Sequence, residues 1–434
     1  MDVLSTLISG IRGVCTQLTD VRRGENVVHR MVDVAMSAFS MFFMQSESFL
    51  SHQRALEEGQ GISNCQTLFG IEKTASDNHI RSLLDEVHPT ELQPAFDLAL
   101  NTLRENGGLK LFQRLDGRTP IAIDGTEYFC SQKPGCPHCL TRKRGNGKTE
   151  CYHTMLSATI VAPGHDKAIP LMPEFIANTD GSEKQDCERN AGKRWLETHH
   201  ERVKDLRPVY LGDALFACQP MAEAVLATGA DFLFVCKPDG HKTLYDFING
   251  AALDEHKTTE LLPGKKRLHY HYHWIEGVPL RDGKDALHVN WIAVTITGAT
   301  GKKGYDGAFV TNLPVTMKNV VELVAVARAR WKIENESFNV LKNNGYHLEH
   351  NFGHGKKYLA MIFAALNLLA FAAHTICDSL DELWKRARAA KGSRKRFFEH
   401  LRTITTYIIF ESWQALLDTL IAGRPPPFQK TTAA

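Results

Sequence analysis

The sequence predicts an α/β protein, a mixed sheet flanked by helices, with helical regions at both ends of the chain. Three observations predict it. Residues 1–112 carry apolar side chains at helical spacing; from about 117, short β-rich runs alternate with helical segments; and beyond a β-rich stretch at 239–310, helices return. The chain has 434 residues, 43% hydrophobic and 23% charged, enough for a large core and two or three domains. A formal net charge of +2 excludes a global basic field. Any nucleic-acid binding therefore rests on local patches.

In the N-terminal region, "NCQTLFGIEKTASDNHIRSLLDEVHP" places Thr74, Ser76 and Asp77 in cap-like positions between two apolar runs. The pattern fits a DNA-recognition helix-turn-helix and equally a plain helical hairpin. Next, "TPIAIDGTEYF", "ECYHTMLSATIVAPG" and "AIPLMPEFIAN" read as strands. "KQDCERNAGKRWLETHHERV" reads as a polar helix capped by Asp186. "RPVYLGDALF", "CQPMAEAVLATG" and "DFLFVCKP" follow as strand, helix and strand. In "RLHYHYHWIEG", strict alternation puts His269, His271 and His273 on one face and Tyr270, Tyr272 and Trp274 on the other. Helices occupy 311–376 and 377–422, and the tail 423–434 is expected to be disordered.

The N-terminus lacks the basic-then-apolar order of a secretion signal. The run from Leu359 to Ile376 just reaches membrane-spanning length, but it contains Asn367 and His374 and is rich in alanine, which favours a buried core helix over a membrane span. Ten cysteines without a secretion signal point to a reducing, cytoplasmic setting, where clustered cysteines indicate metal before disulfide.

Two strands run into an acid beside glycine: Asp124 in "IAIDGT" and Asp213 in "YLGDALF". If both strands share a sheet, the two carboxylates can meet at one edge. Close carboxylates repel, so a cation between them is expected, and Mg²⁺ prefers oxygen ligands. A third acid comes from "RARWKIENESFNVLK", residues 328–342. At about 100° per residue, Val320, Leu323, Ala327, Trp331, Phe338 and Leu341 share one helix face with Glu334, and Glu336 lies opposite, beside Lys332. Glu336 then has an ordinary explanation as a solvated acid paired with Lys332. Glu334, expected inside an apolar stripe, needs a buried partner such as Arg330 or a metal.

"IAIDGT", "YLGDALF" and "RARWKIEN…F..LK" together resemble the three acidic motifs of DDE transposases from bacterial insertion sequences. The third is similar to the Arg-Trp-x-Ile-Glu signature of the branch with a β-rich insertion before the final Glu. The spacing "GTEYF…CPHCLTR…GK…YH" and the run "GYHLEHNFGHG" resemble the group filed as not-classified-yet insertion sequences (ISNCY). The resemblance covers about 117–375. It implies an RNase H-like fold, with a catalytic core at 117–238 and 311–376 interrupted by the β insertion. It further implies a triad of Asp124, Asp213 and Glu334 holding two Mg²⁺ ions, or Mn²⁺ in their place, and phosphodiester cleavage and strand transfer on double-stranded DNA. Arg330 and Lys342 are then expected to contact phosphates, in a protein that works near the nucleoid as a homodimer. Two departures stand out. Ala327 occupies a position where the branch often has tyrosine, and the lysine expected after the Glu is one residue late, at Lys342. The alternatives are a metal-dependent nuclease on the same fold and a DNA-binding protein without catalysis.

Within the core, "CSQKPGCPHCLTRKRGNGKTECYH" offers Cys136, Cys139, Cys151 and His153 as four soft ligands for a tetrahedral Zn²⁺, with Cys130 competing with Cys151. Such a staple would present the basic loop "TRKRGNGK" to DNA. His347, His350 and His354 follow the Glu334 helix closely enough to meet the site or to be structural. The basic run "KRARAAKGSRKR" at 385–396 reads as a solvated loop or a phosphate-binding patch.

Overall fold

The computed structural model describes residues 2–23, 27–49, 51–52, 63–133, 135–145, 147–178, 186–263 and 266–423. Apart from Gly423, the tail expected to be disordered lies outside them.

The N-terminal region forms helices α1 (Val3–Cys15), α2 (Met31–Phe43), α3 (Asn64–Phe69), α4 (Asp77–Leu84) and α5 (Gln93–Glu105). The expected pair at 64–84 is present: Gly70 closes α3 in the left-handed conformation glycine tolerates, and Ile80, Leu83 and Leu84 of α4 point inward. Arg81, the basic residue of α4, bonds Asp77 and the Phe352 carbonyl.

A single 11-stranded mixed sheet follows. Strand β1 (Thr119–Ser131) is followed by β2 (Leu140–Lys143) and β3 (Thr149–Ile160), then the short strands β4 (Ile169–Pro170) and β5 (Glu174–Ile176). β3 pairs antiparallel with all four. Helix α6 (Glu188–Val203) leads to β6 (Pro208–Gly212), parallel to β1, and α7 (Gln219–Ala227) leads to β7 (Asp231–Val235), parallel to β6. Side chains alternate across this centre. Ile121, Ile123, Tyr210, Phe232 and Phe234 join one core, and Ala122, Val209, Leu211 and Leu233 the other. Burial on both faces explains the near-continuous apolar runs of β6 and β7. Asp186 does not cap α6; Cys187 stands at the N-cap, and the Asp186 carboxylate instead pairs with Arg194 at 2.7 Å.

Beyond α8 (Lys242–Asn249), the stretch expected as an insertion forms β8 (Asp254–Leu262), β9 (Lys266–Pro279), β10 (His288–Gly298) and β11 (Lys303–Thr311). These strands pair antiparallel in turn, and β11 returns to pair with β7. The stretch therefore widens the core sheet. On β9, Tyr272 and Trp274 are buried, as the alternation predicts.

The chain then runs through α9 (Val320–Arg328), a 3₁₀ turn at Ala329–Trp331, a π-helical turn at Ile333–Phe338, and α10 (Asn339–Asn343). Helices α11 (Leu359–Leu380), α12 (Glu382–Lys391), α13 (Arg394–Tyr407) and α14 (Trp413–Ala422) complete the chain. α11 is long and apolar enough to cross a membrane, yet it lies wholly inside the protein, as the sequence predicts. It packs against α1, α2, α5 and α12, so helices from both ends of the chain share one core. Trp384 closes that core, stacking on His374 and donating its indole N–H to Asp378 at 2.8 Å.

Two histidines in this core make stability pH-dependent. His52 lies between the Ser40 and Ser46 hydroxyls, and burial pushes its pKa down to about 3. His374 accepts from the Tyr346 hydroxyl at 2.7 Å and is held well below its ordinary value by burial, then by Arg394 and Arg388. Each ring stays neutral in the fold and takes up a proton on unfolding, so stability is whole above the unfolded pKa and is lost as pH falls below it. The expected loss is about 1.4 kcal/mol per ring for each pH unit below about 6.5. Urea unfolding at stepped pH measures it; a slope unchanged in His52→Gln would refute that ring's contribution.

Candidate functional site

Asp124 lies in the middle of β1, which continues to Ser131, rather than at a strand end. It does lie just past the paired part of β6. The parallel register sets Ala122 against Leu211, and two residues further on Asp124 is level with Asp213. Adjacent strands are about 4.8 Å apart, so the expected meeting of the two aspartates is realised.

Glu334 reaches the same place from the helical side. Arg330 Nη1 lies 3.0 Å from Asp124 Oδ2 and 2.8 Å from Glu334 Oε1, so one guanidinium joins two acids far apart in sequence. The Asp124 and Arg330 side chains are only 16% and 17% exposed. Burial lifts the Asp124 carboxyl to a pKa of about 7. Arg330 opposes the rise, and the charges of Asp213, Glu334 and Glu188 add to it. Asp213 Oδ1 accepts from the Leu215 N–H at 2.8 Å, which fixes its rotamer.

Helical phase misplaced Glu334 and its neighbours. Its side chain is 52% exposed and Trp331 is 46% exposed, whereas Glu336 is half-buried. Ile333, Ser337 and Leu341 carry the buried stripe past Val326 and Ala329. The reason is local geometry: a 3₁₀ turn followed by a π turn breaks the 100° step, and single π turns recur at functional sites. Lys332 does not pair with Glu336 but donates to the His165 carbonyl at 2.5 Å. Lys342, expected at a phosphate, is held by Glu349 at 2.8 Å.

Glu188 is the carboxylate that sequence reasoning missed. It opens α6, and its carboxylate packs over Gly125, where any Cβ would collide with it. Burial and then the charge of Asp213 raise its pKa. The only sequence signal was a glutamate in the first turn of the helix after β5. Arg330 thus pairs with two carboxylates, and Asp213 and Glu188 stand near enough for their charges to act on Asp124; oxygen donors of this kind suit an oxygen-seeking dication.

The cysteine-histidine cluster is realised with one exchange. Cys136, Cys139, His153 and His354 bring their ligand atoms together, and His354 takes the place expected of Cys151. Cys136 and Cys139 lie in the loop before β2, His153 is on β3, and His354 arrives from the segment after α10. Cys151 is two residues from His153 on β3 and stays outside the group because the returning segment fills the fourth position. Hydrogen bonds from Cys139, then from His153 and His354, hold the Cys136 thiol far below its ordinary range. The basic loop between the ligands is an exposed hairpin, where Arg142 and Arg144 are braced by Glu150. A second cluster of Glu255, His271 and His273 lies on the β8–β9 pair, and there Lys257 reaches Glu255 at 3.4 Å.

Comparison of the chain with protein-family models and with curated proteins gave no match.

Proposed function

We propose that the chain is a DNA transposase of the RNase H-like type, with Asp124, Asp213 and Glu334 as its catalytic carboxylates. One observation carries the reading: acids from β1 and from the Glu334 helix converge on Arg330, level with an acid at the end of β6. The sheet supports it, because an antiparallel meander β5–β3–β1 joins the parallel strands β6 and β7. Asp124, Asp213 and Glu334 would hold Mg²⁺ or Mn²⁺, with Glu188 beside them. Bound there, the cations would lower the pKa of an attacking water and stabilise a leaving 3′ oxygen.

The chain's own groups have three tasks. The aspartates sit on neighbouring strands of a buried sheet, which fixes their separation. The π turn presents Glu334 from the opposite side. Arg330 offsets the carboxylate charge while no cation is bound and can turn toward a phosphate once the carboxylates are otherwise satisfied.

The test is incubation of the protein with Mg²⁺ and DNA carrying the element's flanking ends. Cleavage followed by joining to a target is expected. Cleavage without joining would favour the nuclease reading, and absence of divalent-dependent cleavage would overturn both. Glu188→Gln is expected to weaken Mn²⁺ binding by the DNA-free protein about tenfold; calorimetry showing unchanged affinity would remove Glu188 from the site.

A further inference from the structure

We propose that Cys136, Cys139, His153 and His354 bind one structural Zn²⁺, and that this ion clamps the segment following the Glu334 helix onto the β1–β3 hairpin. The zinc site stands whether or not the carboxylates cut DNA.

The geometry comes first. Zinc bound tetrahedrally at about 2.3 Å from sulfur and 2.0–2.1 Å from nitrogen sets ligand atoms about 3.8 Å apart for two sulfurs, 3.5 Å for a mixed pair and 3.3 Å for two nitrogens. The Sγ atoms of Cys136 and Cys139 are 4.0 Å apart. His153 Nε2 lies 3.5 Å from Cys136 Sγ and 3.3 Å from Cys139 Sγ. His354 Nε2 lies 3.3 Å from Cys139 Sγ and 3.0 Å from His153 Nε2. All five separations match the edges of such a tetrahedron to within a few tenths of an ångström. The sulfurs are far beyond the disulfide bond length of about 2.05 Å.

The surroundings prepare the ligands. His354 Nδ1 donates to the Gly355 carbonyl at 3.0 Å, which leaves its Nε2 lone pair free to coordinate. Gly135 packs against the Cys139 side chain so closely that a Cβ there would strike Sγ. Tyr128 stacks on His153, and Phe129 lies against His354, shielding the cluster from water. Two thiolates neutralise a divalent ion, so the half-buried site carries no net charge. Sulfur and imidazole ligands select zinc over Mg²⁺, and four protein ligands leave no open position for catalysis.

The ion's position gives its role. His153 sits on β3 opposite Phe129 of β1, the strand that carries Asp124. His354 belongs to the link between α10 and α11, whose other ties are to helical parts of the chain: Tyr346 bonds His374 and accepts from Asn367 and Arg394, Arg81 donates to the Phe352 carbonyl, and Asp85 accepts from the N–H groups of Lys356, Lys357 and Leu359. Among the described residues, no hydrogen bond or ion pair outside the cluster ties this link to β1 or β3.

Elemental analysis of the purified full chain is expected to give about one zinc per chain, falling at least about fivefold in Cys139→Ser and in His354→Asn and unchanged in Cys151→Ser. Reconstitution with Co²⁺ should give tetrahedral d–d bands with thiolate charge transfer. Wild-type protein stripped with a chelator should gain protease cleavage between 345 and 358, reversed by added Zn²⁺; this readout needs no variant to fold. Absence of both stoichiometric zinc and the cobalt spectrum would overturn the site. Zinc lost in Cys151→Ser but kept in His354→Asn would overturn the clamp. Unchanged proteolysis on stripping would overturn it too.

Discussion

Asp124→Asn, Asp213→Asn and Glu334→Gln are each expected to lower Mg²⁺-dependent DNA cleavage by on the order of 10³-fold, with Glu336→Gln within about threefold of wild type. Each change is nearly isosteric and removes one negative charge from a group of acids of which two share Arg330. The fold should tolerate them. Burial disfavours the ionised form of Asp124, so Asp124→Asn should leave metal-free stability at neutral pH unchanged or raise it. Glu336 is the decisive control. It is more buried than Glu334, yet it faces a cavity of about 580 Å³ lined by Lys167, Arg388, Arg394 and Arg402, away from the aspartates. Initial rates on end-containing DNA under saturating Mn²⁺ measure the effect. A Glu336→Gln loss equal to that of Glu334→Gln would falsify the assignment of the third acid.

Arg330→Gln is expected to raise the affinity of the DNA-free protein for Mn²⁺ about tenfold while lowering cleavage at least about 100-fold. The opposite signs follow from its position. Its guanidinium occupies the space between Asp124 and Glu334, and it lowers the Asp124 pKa as a cation would. Removing it strips away a competitor for the carboxylates and a partner for phosphate at once. Calorimetric titration and cleavage assays on the same preparation separate the two effects. A variant that binds Mn²⁺ more weakly would instead make Arg330 a brace that holds the carboxylates in place.

The sequence carried the sheet centre and the alignment of its two aspartates because both rest on short-range signals. "IAIDGT" and "YLGDALF" each state a buried strand reaching an acid within six or seven residues, although only the second ends there, and the parallel register then brings their acids level. The path around Glu334 was illegible for the opposite reason. A regular helix phase assumes one step per residue, and the 3₁₀ and π turns at 329–338 change that step without any marker residue. Ile333, passed over in the phase argument, carries the core contact that had been given to Trp331. His354 was hidden by distance: four ligands within one stretch of sequence looked complete, and nothing local says that a residue 201 positions beyond His153 will displace Cys151. Glu188 was missed because an acid in the first turn of a helix is ordinary there.

Helix α11 has a consequence for how the chain is made. The N-terminal helices close their core on a segment that leaves the ribosome much later. The Leu4 N–H bonds Asp381, Asn64 bonds the carbonyls of Thr405 and Ile408, and the Trp413 indole reaches the Leu68 carbonyl. Until α11 and those residues emerge, the parts of α1 and α2 that pack on α11 stay uncovered, with each other, α3, α4 and α5 as partners. At roughly 5–20 residues per second, that wait lasts on the order of tens of seconds. The sheet between them can assemble first, its parallel strands β6 and β7 linked by the single helix α7. Truncation before α14, which removes the Trp413 partner of Leu68, should therefore yield an aggregating chain even with every carboxylate and every metal ligand present.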